Sequence, residues 1–200
     1  LKEFYEKIEG KTILIAGGGG FLGRYLSLTL DYLNKNHLKK PCKIIIMDNF
    51  ITGLKNWIEE NENLKLIEHN ISKSLEIECP VDYIIHAASL ASPIFYNKYR
   101  FETIDVGFLG TKNLLDICKN KKIKKFIHVS SISAIGPSRD TKPVNERSKR
   151  KPIDTYGISK LISEDIALYY YKKYKIPLII LRPPMTYGPR DFTNLKIFQS

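Results

Sequence analysis

The 200-residue sequence has only three cysteines and a single tryptophan. Cys42, Cys79 and Cys118 are odd in number, widely spaced and free of any Cys-x-x-Cys or Cys/His ligand pattern, which excludes a disulfide framework and gives no metal site to expect. They read as reduced thiols. No apolar run approaches the ~18–20 residues of a membrane span, and the first ten residues are charged and amphipathic rather than signal-like. A cytoplasmic protein with no membrane partner is expected. Internal repeats, low-complexity stretches and linkers between domains are missing as well. Acids are outnumbered, 21 against 32 Lys and Arg, for a net charge of +11. A basic face can bind nucleic acid by releasing counterions from phosphates, but these lysines are scattered rather than interleaved with aromatics. The densest run, Arg147-Ser-Lys-Arg-Lys151, lies between Pro143 and Pro152 and reads as a solvated loop. No nucleic-acid partner is expected.

What is present, 43% hydrophobic and 26% charged residues, is the profile of a folded domain with one sizeable core. Short runs of Val, Ile and Leu alternate with longer stretches of helical period, the pattern of strand-helix-strand units on a parallel sheet. Strands are predicted at 12–16, 43–48, 64–68, 82–86, 124–130 and 178–182. Helices are predicted at 21–36, 96–119 and 155–175, with a shorter one at 54–61. Parallel strands covered on both faces read as continuous apolar runs, and Ile13-Leu-Ile15, Ile44-Ile-Ile46 and Leu178-Ile-Ile-Leu181 fit. The predicted fold is α/β, a doubly wound parallel sheet of Rossmann type with helices on both faces and strand order 3-2-1-4-5-6.

The first strand runs into Ala16-Gly-Gly-Gly-Gly-Phe-Leu-Gly23 and then a helix. Gly17, Gly20 and Gly23 form a Gly-x-x-Gly-x-x-Gly variant of the dinucleotide fingerprint. Glycine at such a turn lets the backbone approach a pyrophosphate, and the N–H groups of the helix start point at the anion. A flexible turn could look similar. The context adds weight: the second strand ends at Asp48, where a carboxylate can accept hydrogen bonds from ribose hydroxyls and repel the extra phosphate of NADP. Asn49-Phe50 follow rather than an arginine, so NAD is the expected cofactor. The alternative for Asp48 is a simple turn residue at a strand end.

Tyr156 and Lys160 are four residues apart at the start of a predicted helix and so share a face. A phenol is a poor base at neutral pH, but a neighbouring ammonium and the positive nicotinamide favour its phenolate. Tyr156 could then take a hydroxyl proton while a hydride leaves for NAD, with Ser131, at the end of the fifth strand, holding the substrate oxygen. Tyr-x-x-x-Lys alone means little in a chain with 12 tyrosines. The order carries the argument: glycine loop after strand one, Asp48 after strand two, His86-Ala87-Ala88 after strand four, Ser131 after strand five, then Tyr156 and Lys160.

With these elements in place, and with Phe21-Leu22-Gly23, Asp48-Asn-Phe50, Thr52-Gly53, Gly110-Thr111, Val129-Ser-Ser131, Arg182-Pro183 and Tyr187-Gly-Pro-Arg190, the chain resembles the extended short-chain dehydrogenase/reductases from Lys11 to Asp191. It is similar in particular to the NAD-dependent epimerase/dehydratase family, which acts mostly on nucleotide sugars. The resemblance implies a cofactor site of Gly17, Gly20, Phe21, Leu22, Gly23, Asp48, Asn49, Ala87 and Ala88, joined by Tyr156 and Lys160. It implies a catalytic set of Ser131, Tyr156 and Lys160, a nucleotide-sugar substrate and a homodimer. The stretch Ala91-Ser-Pro-Ile-Phe-Tyr96 is similar to a segment of UDP-glucuronate decarboxylases, which makes Pro93 and Tyr96 candidates for the sugar side together with Ser131 and Ser133. For Tyr96 the plainer alternative is the start of a helix.

Departures from that pattern cluster on the substrate side. Ser133 stands where the decarboxylases and dehydratases that the chain resembles carry a glutamate, Gly107 and Met185 stand where asparagines are usual, and Ile135 replaces a tyrosine. The oxidation machinery is complete and the acid of the lyases is missing. The expected activity is oxidation of a sugar hydroxyl to a transient keto sugar, of the epimerase type. A decarboxylase-like lyase and a carbonyl reductase are the enzymatic alternatives, and a dinucleotide-sensing scaffold the non-enzymatic one. Members of the family carry a C-terminal substrate lobe, whereas this sequence ends at Phe198-Gln-Ser200, so a chain that is truncated or continues is expected.

Overall fold

A computed structural model describes residues 2–137, 143–189 and 191. Its six strands, β1 (Thr12–Ala16), β2 (Lys43–Asp48), β3 (Leu64–Glu68), β4 (Tyr83–His86), β5 (Lys125–Val129) and β6 (Leu178–Leu181), form one sheet in the order β3-β2-β1-β4-β5-β6. Every pairing is parallel. This is the expected doubly wound order, and its reversal between β1 and β4 opens a crevice at the C-terminal strand ends.

Alternation along the strands feeds two cores. Leu14, Ala16, Ile45, Met47, Ile84 and Phe126 point to one face, covered by α5 (Thr111–Asn120) and α6 (Thr155–Tyr174), while Ile13, Ile15, Ile44 and Ile46 point to the other, covered by α2 (Phe21–Asn36). A short helix that the sequence pattern did not announce, α1 (Lys2–Ile8), adds Tyr5 and Ile8 to the second core. Both apolar faces of β1 and β2 are buried as their sequences predict. On the edge strand β6 the expectation fails, because Ile179 and Leu181 stay 38% and 47% exposed and the described residues cover one face only.

Two helical segments differ from the sequence pattern. No helix forms over 54–61. Leu54, Trp57 and Ile58 have helical spacing, but Trp57 and Ile58 pack on the second core, and the Glu60 carboxylate and Asn61 backbone bond to Leu66 and Leu64, covering the open edge of β3. The long helix expected at 96–119 starts earlier and is broken into α3 (Pro93–Lys98), α4 (Arg100–Asp105), a π-helical turn (Val106–Gly110) and α5. Pro93 suits a first helical position because its missing N–H is not needed there. The break falls at Tyr99, whose φ −116, ψ 60 is not helical.

Candidate active site at the strand ends

β1 ends in a turn closed by the Gly17 N–H on the Met47 carbonyl (2.8 Å) and the Gly20 N–H on the Gly17 carbonyl (3.2 Å). The three fingerprint glycines are needed for different reasons. Gly17 has φ +83, and a Cβ there would lie 2.4 Å from the Ala88 backbone; one on Gly23 would lie 2.1 Å from the Gly17 oxygen. Both are required by the protein's own packing. A Cβ on Gly20 would meet nothing closer than 3.4 Å, so the chain itself leaves that space open, and the residue lines both cavities of the crevice. A bare backbone facing an open cradle at a helix start fits a pyrophosphate.

Asp48 ties the turn to the loop after β2. Its Oδ2 accepts the Gly19 N–H (2.9 Å) and its Oδ1 the Phe50 N–H (2.7 Å). Burial pushes its carboxyl up from the ordinary value, opposed by these backbone hydrogen bonds. Each oxygen keeps a lone pair for a ribose hydroxyl. Asp48→Ala is therefore expected to lower NAD affinity by ~10–100-fold, the loss of hydrogen bonds to a charged group, and to narrow the preference over NADP. Calorimetry with both nucleotides checks it, and tighter binding of NADP to the unaltered protein would contradict the assignment.

One cavity is lined by Gly17, Asp48, Asn49, Ala87 and Ala88, together with His69, Asn70 and Ile71 beyond β3. The last three, placed where an adenine would lie beside Asp48, carry no motif of their own. A second cavity shares Gly17, Gly20 and Ala87 with the first and adds Phe21, Leu22, Gly23, Ser131, Tyr156 and Lys160. The structure thus brings the glycine loop and the three predicted catalytic residues to one continuous crevice.

The helix α6, which carries Tyr156 and Lys160, begins on Asp154, whose carboxylate accepts the Gly157 N–H at 2.7 Å. Lys160 is 4% exposed, and its Nζ donates to the Val129 carbonyl at 2.7 Å. Burial brings its amine down to about 8, opposed by the charge of Glu164. Its Nζ lies 5.6 Å from the centre of the Tyr156 ring. Burial raises the Tyr156 phenol above its ordinary value, a hydrogen bond from Ser131 lowers it, and Asp154 and Tyr96 raise it further. In the protein alone the phenol is held protonated.

Ser131 caps the 3₁₀ turn Ile132–Ala134, accepting the Ser133 N–H at 3.1 Å. Ser133 thus touches Ser131 through its backbone, and its side chain is not among the walls of the second cavity. Tyr96 stacks on Tyr156, ring centres 5.8 Å apart and planes at 14°. Pro93 is exposed and lines neither cavity; Ser89 and Ala91 take that part of the wall. Asp191, 5% exposed, adds a carboxylate to the second cavity that no motif marked. Arg190 lies outside the described residues.

Behind the site, the fully buried Glu164 accepts hydrogen bonds from Ser130 (2.6 Å), Arg182 (2.7 and 2.8 Å) and Arg150 (3.2 Å). Burial raises its carboxyl, but these partners outweigh that and hold it below the ordinary range. The basic run at 147–151 is accordingly only partly a solvated loop, since Arg150 is anchored to α6 through Glu164 and Asp165. Among the described residues no group of three or more His, Cys, Asp and Glu gathers for a metal, and burial lifts the thiols of Cys42 and Cys118 to about 11 and about 12.

The family model described as "NAD dependent epimerase/dehydratase family" matches residues 13–199. The chain belongs to this family. It is 32% identical over 199 residues to a dTDP-D-glucose 4,6-dehydratase of Dictyostelium discoideum, covering 90% of this chain and 45% of that protein. It is 34% identical over 185 residues to UDP-glucuronic acid decarboxylase 5 of Arabidopsis thaliana, covering 89% and 52%. Among solved structures it is similar to UDP-glucuronic acid 4-epimerase from Bacillus cereus in complex with NAD, with a TM-score of 0.72, 27% identity, and coverage of 90% of this chain and 58% of that one. The chain spans about half the length of the curated relatives it matches. Epimerases, a dehydratase and decarboxylases thus share this half, and NAD, which the family description and the Bacillus cereus complex name, is the cofactor that the glycine loop and Asp48 fit.

Proposed function

We propose that the protein takes part in NAD-dependent conversion of a nucleotide sugar through a transient keto sugar, in the manner of an epimerase. The observation that carries this reading is the crevice in which Ser131, Tyr156 and Lys160 share walls with the Gly17–Gly20 turn. NAD, when bound, supplies the hydride acceptor. Gly17, Gly20 and the start of α2 would hold its pyrophosphate, Asp48 and Asn49 would hold its adenosine ribose, and Ala87 and Ala88 back the turn. Ser131 holds the sugar hydroxyl with its Oγ, and Tyr156 takes the hydroxyl proton on its phenolic oxygen. Burial holds that phenol protonated in the protein alone, and the positive charge of bound oxidised NAD would favour its phenolate. Lys160, fixed on the Val129 carbonyl, keeps its ammonium on the same wall, and Tyr96 covers the phenol ring. Epimerisation then requires that the keto sugar be reduced from its other face, with Tyr156 giving the proton back.

A lyase needs a further acid or base. Ser133 is neutral at any physiological pH and cannot serve as one. Asp191 is the observation that favours the second, decarboxylase-like reading, because it places a carboxylate in the same cavity. Product analysis decides between the two. With NAD and UDP-glucuronate the protein is expected to release no carbon dioxide above background and to form a stereoisomer of the substrate. Robust formation of UDP-xylose overturns the epimerase reading and gives Asp191 the role of the missing acid.

The same reading includes a homodimer in the cytoplasm. The helix α4, the π-helical turn after it and α6 pack together and leave Phe101, Phe108, Ile158 and Tyr169 exposed, Phe101 by 85%; exposed apolar side chains on neighbouring elements are a common mark of a protein partner.

A further inference from the structure

Two imidazoles that the reaction does not use lie behind the wall of the crevice. His128 on β5 and His86 on β4 are fully buried, their ring centres 5.0 Å apart and their planes at 43°. Neither lines a cavity with the glycine loop. Burial keeps both rings neutral, bringing His86 down to about 3 and His128 well below its ordinary value; Lys160 adds to the fall at His86, and His86 and Lys160 add to it at His128. A neutral ring has one N–H, and its partners decide which nitrogen carries it.

The His128 Nε2 lies 2.7 Å from the Ser163 Oγ, and the Ser163 hydroxyl donates to the Lys160 carbonyl at 2.8 Å. A hydroxyl has one hydrogen to give. Ser163 therefore accepts from His128, which places the ring proton on Nε2 and leaves Nδ1 with no partner among the described residues. The next residue of β5 holds the other end of the same lysine, through the Val129 carbonyl and the Lys160 Nζ at 2.7 Å. Two consecutive residues of one strand thus grip Lys160 at its backbone and at its amine. His86 stands outside this relay, its Nε2 meeting the Thr111 hydroxyl at 2.9 Å.

We propose that His128 and Ser163 are positioning residues for Lys160: the Nε2–H of His128, relayed through the Ser163 hydroxyl, holds the turn of α6 that carries Lys160 onto β5. The proposal rests on the reading of Lys160 as one of the reacting groups. The pair acts as a unit. Losing one member leaves a buried polar group unpaired, which costs more than the bond contributes, whereas an apolar pair of similar shape leaves nothing unpaired. A chain with apolar side chains at both places can therefore seat the same lysine, and a mismatched pair is what disturbs it. The groups around Lys160 that carry or could carry charge are the two neutral rings, the Tyr156 phenol and Glu164.

The test reads the ring protons by NMR of protein carrying ¹⁵N-labelled histidine and the amine by ¹³C-labelled lysine. In the unaltered chain His128 is expected to keep its proton on Nε2 across the neutral range, and Lys160 to titrate near the value of about 8 set by burial. Ser163→Ala should orphan the Nε2–H and loosen the turn, so that water reaches the amine and its midpoint moves upward toward an ordinary lysine. Hydride transfer to bound NAD should slow ~10-fold, the scale of one hydrogen bond, while NAD affinity holds. The double variant His128→Phe with Ser163→Ala should bring the midpoint back to about 8, whereas a plain packing loss at Ser163 would persist in it. Ser163→Cys, which keeps only a weak donor and acceptor, should also move the midpoint upward and carries the test if Ser163→Ala does not fold. A proton on Nδ1 of His128, a midpoint that stays in place in the single variants, or one that the double variant fails to restore overturns the proposal. If the midpoint moves and returns while hydride transfer keeps its rate throughout, the seating of Lys160 stands and its reading as a reacting group falls.

Discussion

Tyr156→Phe is expected to slow hydride transfer by ~10²–10⁴-fold, the usual contribution of a positioned general acid or base. The change removes one oxygen and almost no volume, so the stack on Tyr96 and the packing of α6 remain. NAD affinity should change by less than ~10-fold, the range of one neutral hydrogen bond. Stopped-flow absorbance of bound NADH after mixing with a nucleotide sugar reads the rate, and calorimetry the affinity. Because burial raises the phenol above its ordinary value, the base form grows as pH rises, and the rate in the unaltered protein should climb on the alkaline side of neutrality. A loss of less than tenfold in Tyr156→Phe would move the base elsewhere.

Gly17→Ala is the second large effect, and it acts on binding rather than chemistry. At φ +83 an alanine costs about 1–2 kcal/mol in backbone strain alone. The larger problem is the Ala88 backbone 2.4 Å from the new methyl, since neither strand can yield without shifting the turn that faces the cofactor. NAD affinity is expected to fall ~100-fold or more, which is about 2.8 kcal/mol at 1.4 kcal/mol per tenfold. Gly20→Ala makes the informative contrast. Its methyl finds room in the protein, so the fold should keep its thermal midpoint while NAD binding weakens, as it must if that space belongs to the ligand. Unchanged NAD affinity in both variants would mean that the crevice binds something else.

Elements dictated by local pattern were legible in the sequence. β1, β2, β3 and α2 run between the residues that periodicity indicates, because a buried parallel strand and a helix opened by glycine have distinctive neighbours. The segment 54–61 was misread for the converse reason. Its apolar spacing mimics a helix, and only tertiary partners, the second core and the open edge of β3, decide against one. The long helix before β5 hid its breaks, since Tyr99 and the π-helical turn have no punctuating residue beyond two glycines. In the site, the glycine loop, Asp48, Ser131, Tyr156 and Lys160 could be named from their order along the strands. His69, Asn70 and Asp191 could not, because a lone polar residue after a strand has no signature. The stack of Tyr96 on Tyr156 joins residues 60 positions apart, and the hub at Glu164 draws Ser130, Arg150 and Arg182 from three separate loops or strand ends. Neither leaves a trace in spacing. The electrostatics of Tyr156 is legible only in part for a similar reason: Lys160 four residues on is visible in the sequence, whereas the burial that raises the phenol is not.

The central claim, transient oxidation of a nucleotide sugar with Tyr156 as base, is tested most directly by following one hydrogen. UDP-glucuronate carrying deuterium at C4 is mixed with the protein and NAD, and the nucleotide and sugar are separated and weighed by mass spectrometry during and after turnover. The account predicts deuterium on the bound nicotinamide while the reaction runs, its return to C4 of both epimers at equilibrium, and neither step in Tyr156→Phe. Deuterium that never leaves the sugar, or that accumulates in released NADH, would contradict it.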